Sequence, residues 1–160
     1  MQNNIKQLLR EQIEMMPKKV IVDVKQVTKK VLKEMISGKR DLDLKKVNDF
    51  IIFVKNYLNI GAGVKIELTF ERTPDLTTTA YYNYKDKRLK VYVKNRLYCD
   101  FEKSIAHEMV HHLQNIEQRL TNPEEDGKDG SPLENEANSK AGEIIRKWGK
   151  LHPEIYYTSL

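Results

Sequence analysis

His107-Glu108-Met109-Val110-His111 sets two imidazoles and a carboxylate in the pattern that a zinc ion and an attacking water require. On a helix, positions four apart lie on one face a single turn from each other, so both rings can reach one metal ion. Glu108, beside the first ring, is then placed to take a proton from the water, which is the work of a general base. The chain has 4 His in 160 residues. Three of them fall within six positions, with Glu in the slot the chemistry needs, which sets this stretch apart from a chance pair of core or surface histidines. His112 lies about 100° round the helix from His111 and reads as a surface or supporting residue rather than a ligand.

A catalytic zinc takes three protein ligands and leaves its fourth position to water. No further His occurs until His152, and the single thiol, Cys99, precedes the motif. Glu134 and Glu136 remain, near the start of a second predicted helix. Ser131 suits its N-cap and Pro132 its first turn, and Leu133, Ala137, Ala141, Ile144, Ile145 and Trp148 trace one face. Glu134 shares a face with Asn138, whereas Glu136 points about 200° away, so only one of the two glutamates can converge with the histidines. Either could equally be a solvated carboxylate in a first turn, where the helix dipole favours negative charge.

His-Glu-x-x-His followed on a separate helix by Glu134-Asn135-Glu136-Ala137-Asn138 resembles the gluzincin metallopeptidases, among them the ImmA/IrrE-like group, the integral-membrane prenyl-protein proteases and small phage-encoded members. The resemblance spans roughly Lys94 to Lys147 and leaves out the N-terminal third. It implies a zincin-like fold and a zinc-dependent endopeptidase in which His107, His111 and Glu134 hold the Zn2+ and Glu108 is the catalytic base. It further implies that Asn138 steadies the site from behind Glu134, that the small Ala137 lets the two helices approach, and that an edge strand binds an extended peptide, here Leu89–Lys94 or Thr77–Tyr84. Two positions depart from the pattern: Val110 stands where many relatives have Gly, and Asn138 where some branches have Asp. The competing classes are a zinc-binding regulatory or interaction protein with weak or no proteolysis, and a DNA-associated protease that localises through its basic half. A purely structural zinc site would not need Glu108 and would usually close its fourth position with Cys or His.

The elements that must position these residues read as α+β: N-terminal helices, a small antiparallel sheet, the motif helix and the Glu-bearing helix. Ile5, Leu8, Leu9 and Ile13 form a short amphipathic segment before Met16-Pro17. Asp23 can cap a helix that carries Val24, Val27, Val31 and Met35 and stops near Gly38. Asp41 or Asp43 can cap the next, with Leu44, Val47, Phe50, Ile51, Val54 and Leu58 spaced for burial and Gly61 and Gly63 ending it. Val64, Ile66, Leu68 and Phe70 alternate as a strand; Thr77–Tyr84 and Leu89-Val91-Val93 form two more, joined across Lys85-Asp86-Lys87. Phe101, Ile105, Met109, Leu113, Ile116 and Leu120 then give the motif helix its apolar stripe. Asn122–Gly130 reads as a polar loop suited to a lid. Tyr81, Tyr82, Tyr84 and Tyr92 could line a substrate cleft or simply alternate along half-buried strands, and His152, Tyr156 and Tyr157 are candidates by type for a donor to the oxyanion.

With 39% hydrophobic and 32% charged residues, a chain of 160 suits one domain, 1–160, in which 1–60 is a helical, basic extension and 61–160 holds the sheet and the site helices. The net charge of +5 is unevenly spread, with 13 basic against 7 acidic residues in 1–60, 8 against 5 in 61–100, and 7 against 11 in 101–160. Lys18-Lys19, Lys29-Lys30, Lys39-Arg40 and Lys45-Lys46 could meet nucleic acid, but no groove-reading motif accompanies them, and solvated lysines on amphipathic helices account for them more simply. A protein or peptide substrate is the expected partner. No apolar run approaches the roughly 20 residues that span a bilayer, the N-terminal segment lacks a signal peptide's apolar core, and one cysteine fits a reducing compartment, so the expected location is cytoplasmic.

Overall fold

The computed structural model describes residues 42–160 except 73, 75 and 77. The segments expected as helices around Ile5–Ile13 and Val24–Met35, and the first three basic pairs, lie outside the described residues. The described part of the chain is α+β. Helix α1 (Leu44–Leu58) begins at Asp43, whose side chain accepts the Lys46 N–H at 3.1 Å. It buries Val47, Phe50, Ile51, Val54 and Leu58. It ends at Asn59 rather than at the glycines: Asn59 takes the left-handed conformation at φ 52°, and the next N–H, of Ile60, returns to the Lys55 carbonyl at 3.0 Å. A short polar side chain tolerates that conformation at little cost, so the helix stops before Gly61 is reached. Of the fourth basic pair, Lys45 is bound to Asp49 at 2.6 Å and Lys46 to Glu154 at 3.0 Å.

Strands β1 (Lys65–Thr69), β2 (Ala80–Asn83) and β3 (Arg88–Tyr92) form a sheet in the order β1-β3-β2. β2 and β3 are the expected antiparallel hairpin, with Ala80 opposite Val91 and Asn83 opposite Arg88. The wholly antiparallel sheet expected from sequence is nevertheless incorrect, because β1 pairs with β3 in parallel, Ile66 opposite Leu89 and Leu68 opposite Val91. Alternating apolar residues fix which face a side chain takes but not which strand lies alongside. β3 has Leu89, Lys90 and Val91 buried in succession, which demands the central slot, with β1 and β2 on either side of it. Leu89–Lys94 is therefore not an edge. β2, within the expected Thr77–Tyr84, is one.

Helix α2 (Tyr98–Ile116) lays Phe101, Ile105, Ala106, Met109 and Val110 into the core, each fully buried. A left-handed Gln118 at φ 59° closes it, so Leu120 falls outside the helix. Its start has no side-chain cap; instead the C-terminal tail supplies the acceptor, with Tyr98 N–H on the Thr158 carbonyl at 3.0 Å. A short helix α3 (Pro123–Asp126) precedes α4 (Pro132–Leu151), and a 3-10 turn covers Pro153–Tyr156. α4 packs against α2 through the fully buried Ala137 and Ala141, while its Trp148 meets Phe50 and Phe53 of α1 at ring separations of 5.5 and 5.2 Å. Among the described residues no helix is long and apolar enough to cross a membrane.

One core residue breaks the apolar pattern. Glu102 of α2 is fully buried, and among the described residues its carboxylate has no well-formed hydrogen bond, only the nearby Trp148 indole. Burial pushes its pKa up to about 8, against the weaker opposing pull of Lys46 and the Trp148 indole. The native state therefore keeps a proton that the unfolded chain loses near the ordinary carboxylate value, and stability drains away as pH rises from about 4.5 to about 8. Glu102→Gln has no such proton to keep. In chelator, denaturant unfolding of wild type should lose stability relative to Glu102→Gln by up to about 1.4 kcal/mol per pH unit between pH 5 and 8. Parallel pH profiles for the two proteins would mean that Glu102 is ionised in the fold.

Candidate metal centre

The start of α4 is built to present Glu134. Ser131 takes the N-cap, its hydroxyl accepting the Glu134 N–H at 3.1 Å and donating to the Asp126 carbonyl, and Pro132 fills the first turn. The close approach of α4 at Ala137 then brings Glu134 over the face of α2 that carries His107 and His111. The two Nε2 atoms lie 3.1 Å apart, Glu134 Oε2 is 3.1 Å from His111 Nε2, and Glu134 Oε1 is 3.2 Å from His107 Nε2. Two imidazole nitrogens and a carboxylate oxygen bound tetrahedrally to zinc at about 2.1 Å stand about 3.4 Å from one another, so the three side chains fit such an ion with small adjustment. Among the described residues they form the one His/Cys/Asp/Glu group of three with this convergence. Burial, and next the adjacent His111, hold His107 below the ordinary imidazole pKa, which favours the neutral ring that a metal needs.

Glu108 stands beside this group without joining it. Its side chain is buried yet lines the cleft, and burial together with the Glu134 carboxylate pushes its pKa up to about 8 in the metal-free protein. Asn138 donates to Glu134 Oε1 at 3.2 Å, one turn along α4. Glu136 is not part of the cluster. It pairs with Arg119 at 2.7 Å and Lys140 at 2.8 Å and accepts from Gln114 at 3.1 Å, and the Arg119 guanidinium foremost holds its carboxyl down to about 2.

His112 is buried rather than superficial, and it faces β2 instead of the cluster. Its Nδ1 lies 2.9 Å from the Tyr82 hydroxyl, which also accepts from Asn115 at 2.8 Å. Burial, then Lys87 and Lys55, lowers its pKa to about 4, so the ring is neutral at physiological pH. The bond to Tyr82 rivets the edge strand to the motif helix. Arg96 ties the end of the central strand β3 to the start of the same helix, donating to the Tyr92 carbonyl at 2.9 Å, the Asp100 carbonyl at 2.8 Å and Ser104 Oγ at 2.9 Å. Neither Arg96 nor Gln114 stood out in the sequence. A Gln three residues past His111 was the only local signal for the second.

A cleft of about 630 Å³ opens over the cluster. β2 with Tyr81, Tyr82 and Tyr84 forms one wall, α2 the floor, and Leu120, Pro123, Gly127 and Asp129 the opposite rim. The Asn122–Gly130 segment contains α3, with Asn122 N–H on Asp126 at 2.8 Å within it and Asn135 of α4 on the Gly130 carbonyl at 3.2 Å. Tyr92 does not line the cleft. Nor do His152, Tyr156 and Tyr157: the tail runs to the start of α2, and His152 stacks on Trp148 at 3.8 Å. No family profile, curated protein or solved structure matches the chain.

Proposed function

We propose that the chain is a zinc-dependent endopeptidase of the gluzincin type with a zincin-like arrangement of sheet and site helices. One observation carries this reading: donor atoms of His107, His111 and Glu134 converge at one point while Glu108, a buried carboxylate on the cleft, stays outside the set. A structural site has no use for that fourth group. A zinc ion held by the three would supply Lewis acidity and lower the pKa of a water. Glu108 would take the proton from that water and return it to the leaving amine, for which a carboxylate in a poorly solvated position is suited. β2 supports the substrate assignment: it is an edge strand, it lines the cleft, and an extended peptide can add to it by main-chain pairing. A peptide bond is thus the group that the cleft would set beside Glu108.

The reading is tested by incubating the protein with a mixture of unfolded proteins, and by following self-cleavage at high concentration. Cleavage should stop on chelation and return on adding zinc. One zinc bound per chain with no cleavage of any substrate would instead favour a zinc-binding interaction protein, and absence of zinc would remove the metal centre altogether.

A further inference from the structure

Gln114 is fully buried, and every polar atom of its amide is used. Oε1 lies 2.8 Å from His111 Nδ1, and Nε2 donates to the Leu133 carbonyl at 2.9 Å and to Glu136 Oε2 at 3.1 Å. Two acceptors on one side settle which way the amide faces, because only the nitrogen end can donate to them. The oxygen end therefore meets the imidazole and can only accept, which requires the proton on Nδ1. That tautomer leaves the Nε2 lone pair free at the point where His107 and Glu134 converge. The same amide reaches the other ligand helix, since Leu133 is the residue before Glu134. Glu136, the acceptor behind it, is held by Arg119 and Lys140 and so offers a fixed anchor.

Resting on the metal-centre reading, we propose that Gln114 is the positioning residue of the site: its amide sets the His111 tautomer and holds the first turn of α4, and with it Glu134, in register with α2. Partners that orient a ligating histidine are commonly worth 10- to 100-fold in metal affinity. A packing plug of equal volume would be worth nothing there, which gives the means of separating the two roles.

Gln114→Met keeps the volume and loses all three bonds. The tautomer of His111 is read separately, from the imidazole nitrogen NMR shifts of the metal-free wild-type protein. Zinc affinity is read by competition with a chromophoric chelator, the geometry by the visible absorption of the Co2+-loaded protein, and packing by unfolding of the metal-free protein. Gln114→Met should bind zinc about 10- to 100-fold more weakly with an altered Co2+ spectrum, and in the metal-free wild-type protein the neutral His111 ring should carry its proton on Nδ1. Wild-type zinc affinity in Gln114→Met, with at most a loss of metal-free stability, would overturn the proposal while leaving the metal centre standing. If Gln114→Met does not fold, the tautomer decides: a His111 proton on Nδ1 supports the role, and one on Nε2 overturns it. Failure of the wild-type protein to bind zinc would instead overturn the underlying reading, and this one with it.

Discussion

Glu108→Gln should leave the fold and the zinc content unchanged and lower peptide hydrolysis by at least about a hundredfold. The amide has nearly the volume of the carboxylate and can still hydrogen-bond to water, but it cannot accept the proton. Glu108 is not one of the three converging ligand atoms, so the exchange takes nothing from the metal set. It also places a neutral group where burial and Glu134 already disfavour a charged one, so the metal-free variant should unfold no more easily than wild type at neutral pH. Zinc content, unfolding and cleavage of the same substrate mixture check the three parts separately. Equal cleavage by both proteins would refute Glu108 as the base. Loss of zinc in the variant would show instead that Glu108 belongs to the ligand set.

The parts of the site that were legible in the sequence are those fixed by a single helix. His107 and His111 are one turn apart on any helix, and Glu108 follows from the same geometry. Ser131 and Pro132 marked the start of α4 because capping is a local matter, and this put Glu134 and Glu136 on different faces of one helix. Spacing alone left those two glutamates open; the resemblance favoured Glu134, and the fold brings it, not Glu136, to the histidines. What escaped depends on partners distant along the chain. Gln114 acts through Leu133 and Glu136, 19 and 22 residues on, and His112 through Tyr82, 30 residues back. The sheet went wrong for the same reason. Ile66, Leu68, Leu89 and Val91 alternated as expected, yet alternation is silent about strand order, and only the two-sided burial of β3 dictates its central place. Asn59 ended α1 before the glycines because an αL residue need not be Gly, which a pattern weighted to glycine overlooks.

Each of His107→Ala, His111→Ala and Glu134→Ala should abolish retention of the single zinc at micromolar metal, because each leaves two protein ligands where three are needed to hold it. Their effects on the metal-free protein should differ, and the difference tests the packing behind the ligands. Removing the His111 ring takes away the donor to Gln114 Oε1, an acceptor in a fully buried side chain, and an orphaned buried acceptor costs about 1 to 3 kcal/mol. His107 has no such buried dependent: its partners are Glu134 and His111, whose mutual contact at 3.1 Å survives its loss, and Asn138, which faces the cleft. Glu134→Ala goes further, since it relieves two imidazoles of a carboxylate but also deprives Asn138 of its acceptor, and both of those groups face the cleft, where water can replace what is lost. In chelator, His111→Ala should therefore be the least stable of the three by denaturant unfolding, with His107→Ala and Glu134→Ala closer to wild type. Near-wild-type zinc in any one variant would remove that residue from the ligand set. Equal metal-free stability of His111→Ala and His107→Ala would mean that the Gln114 bond contributes nothing before the metal arrives.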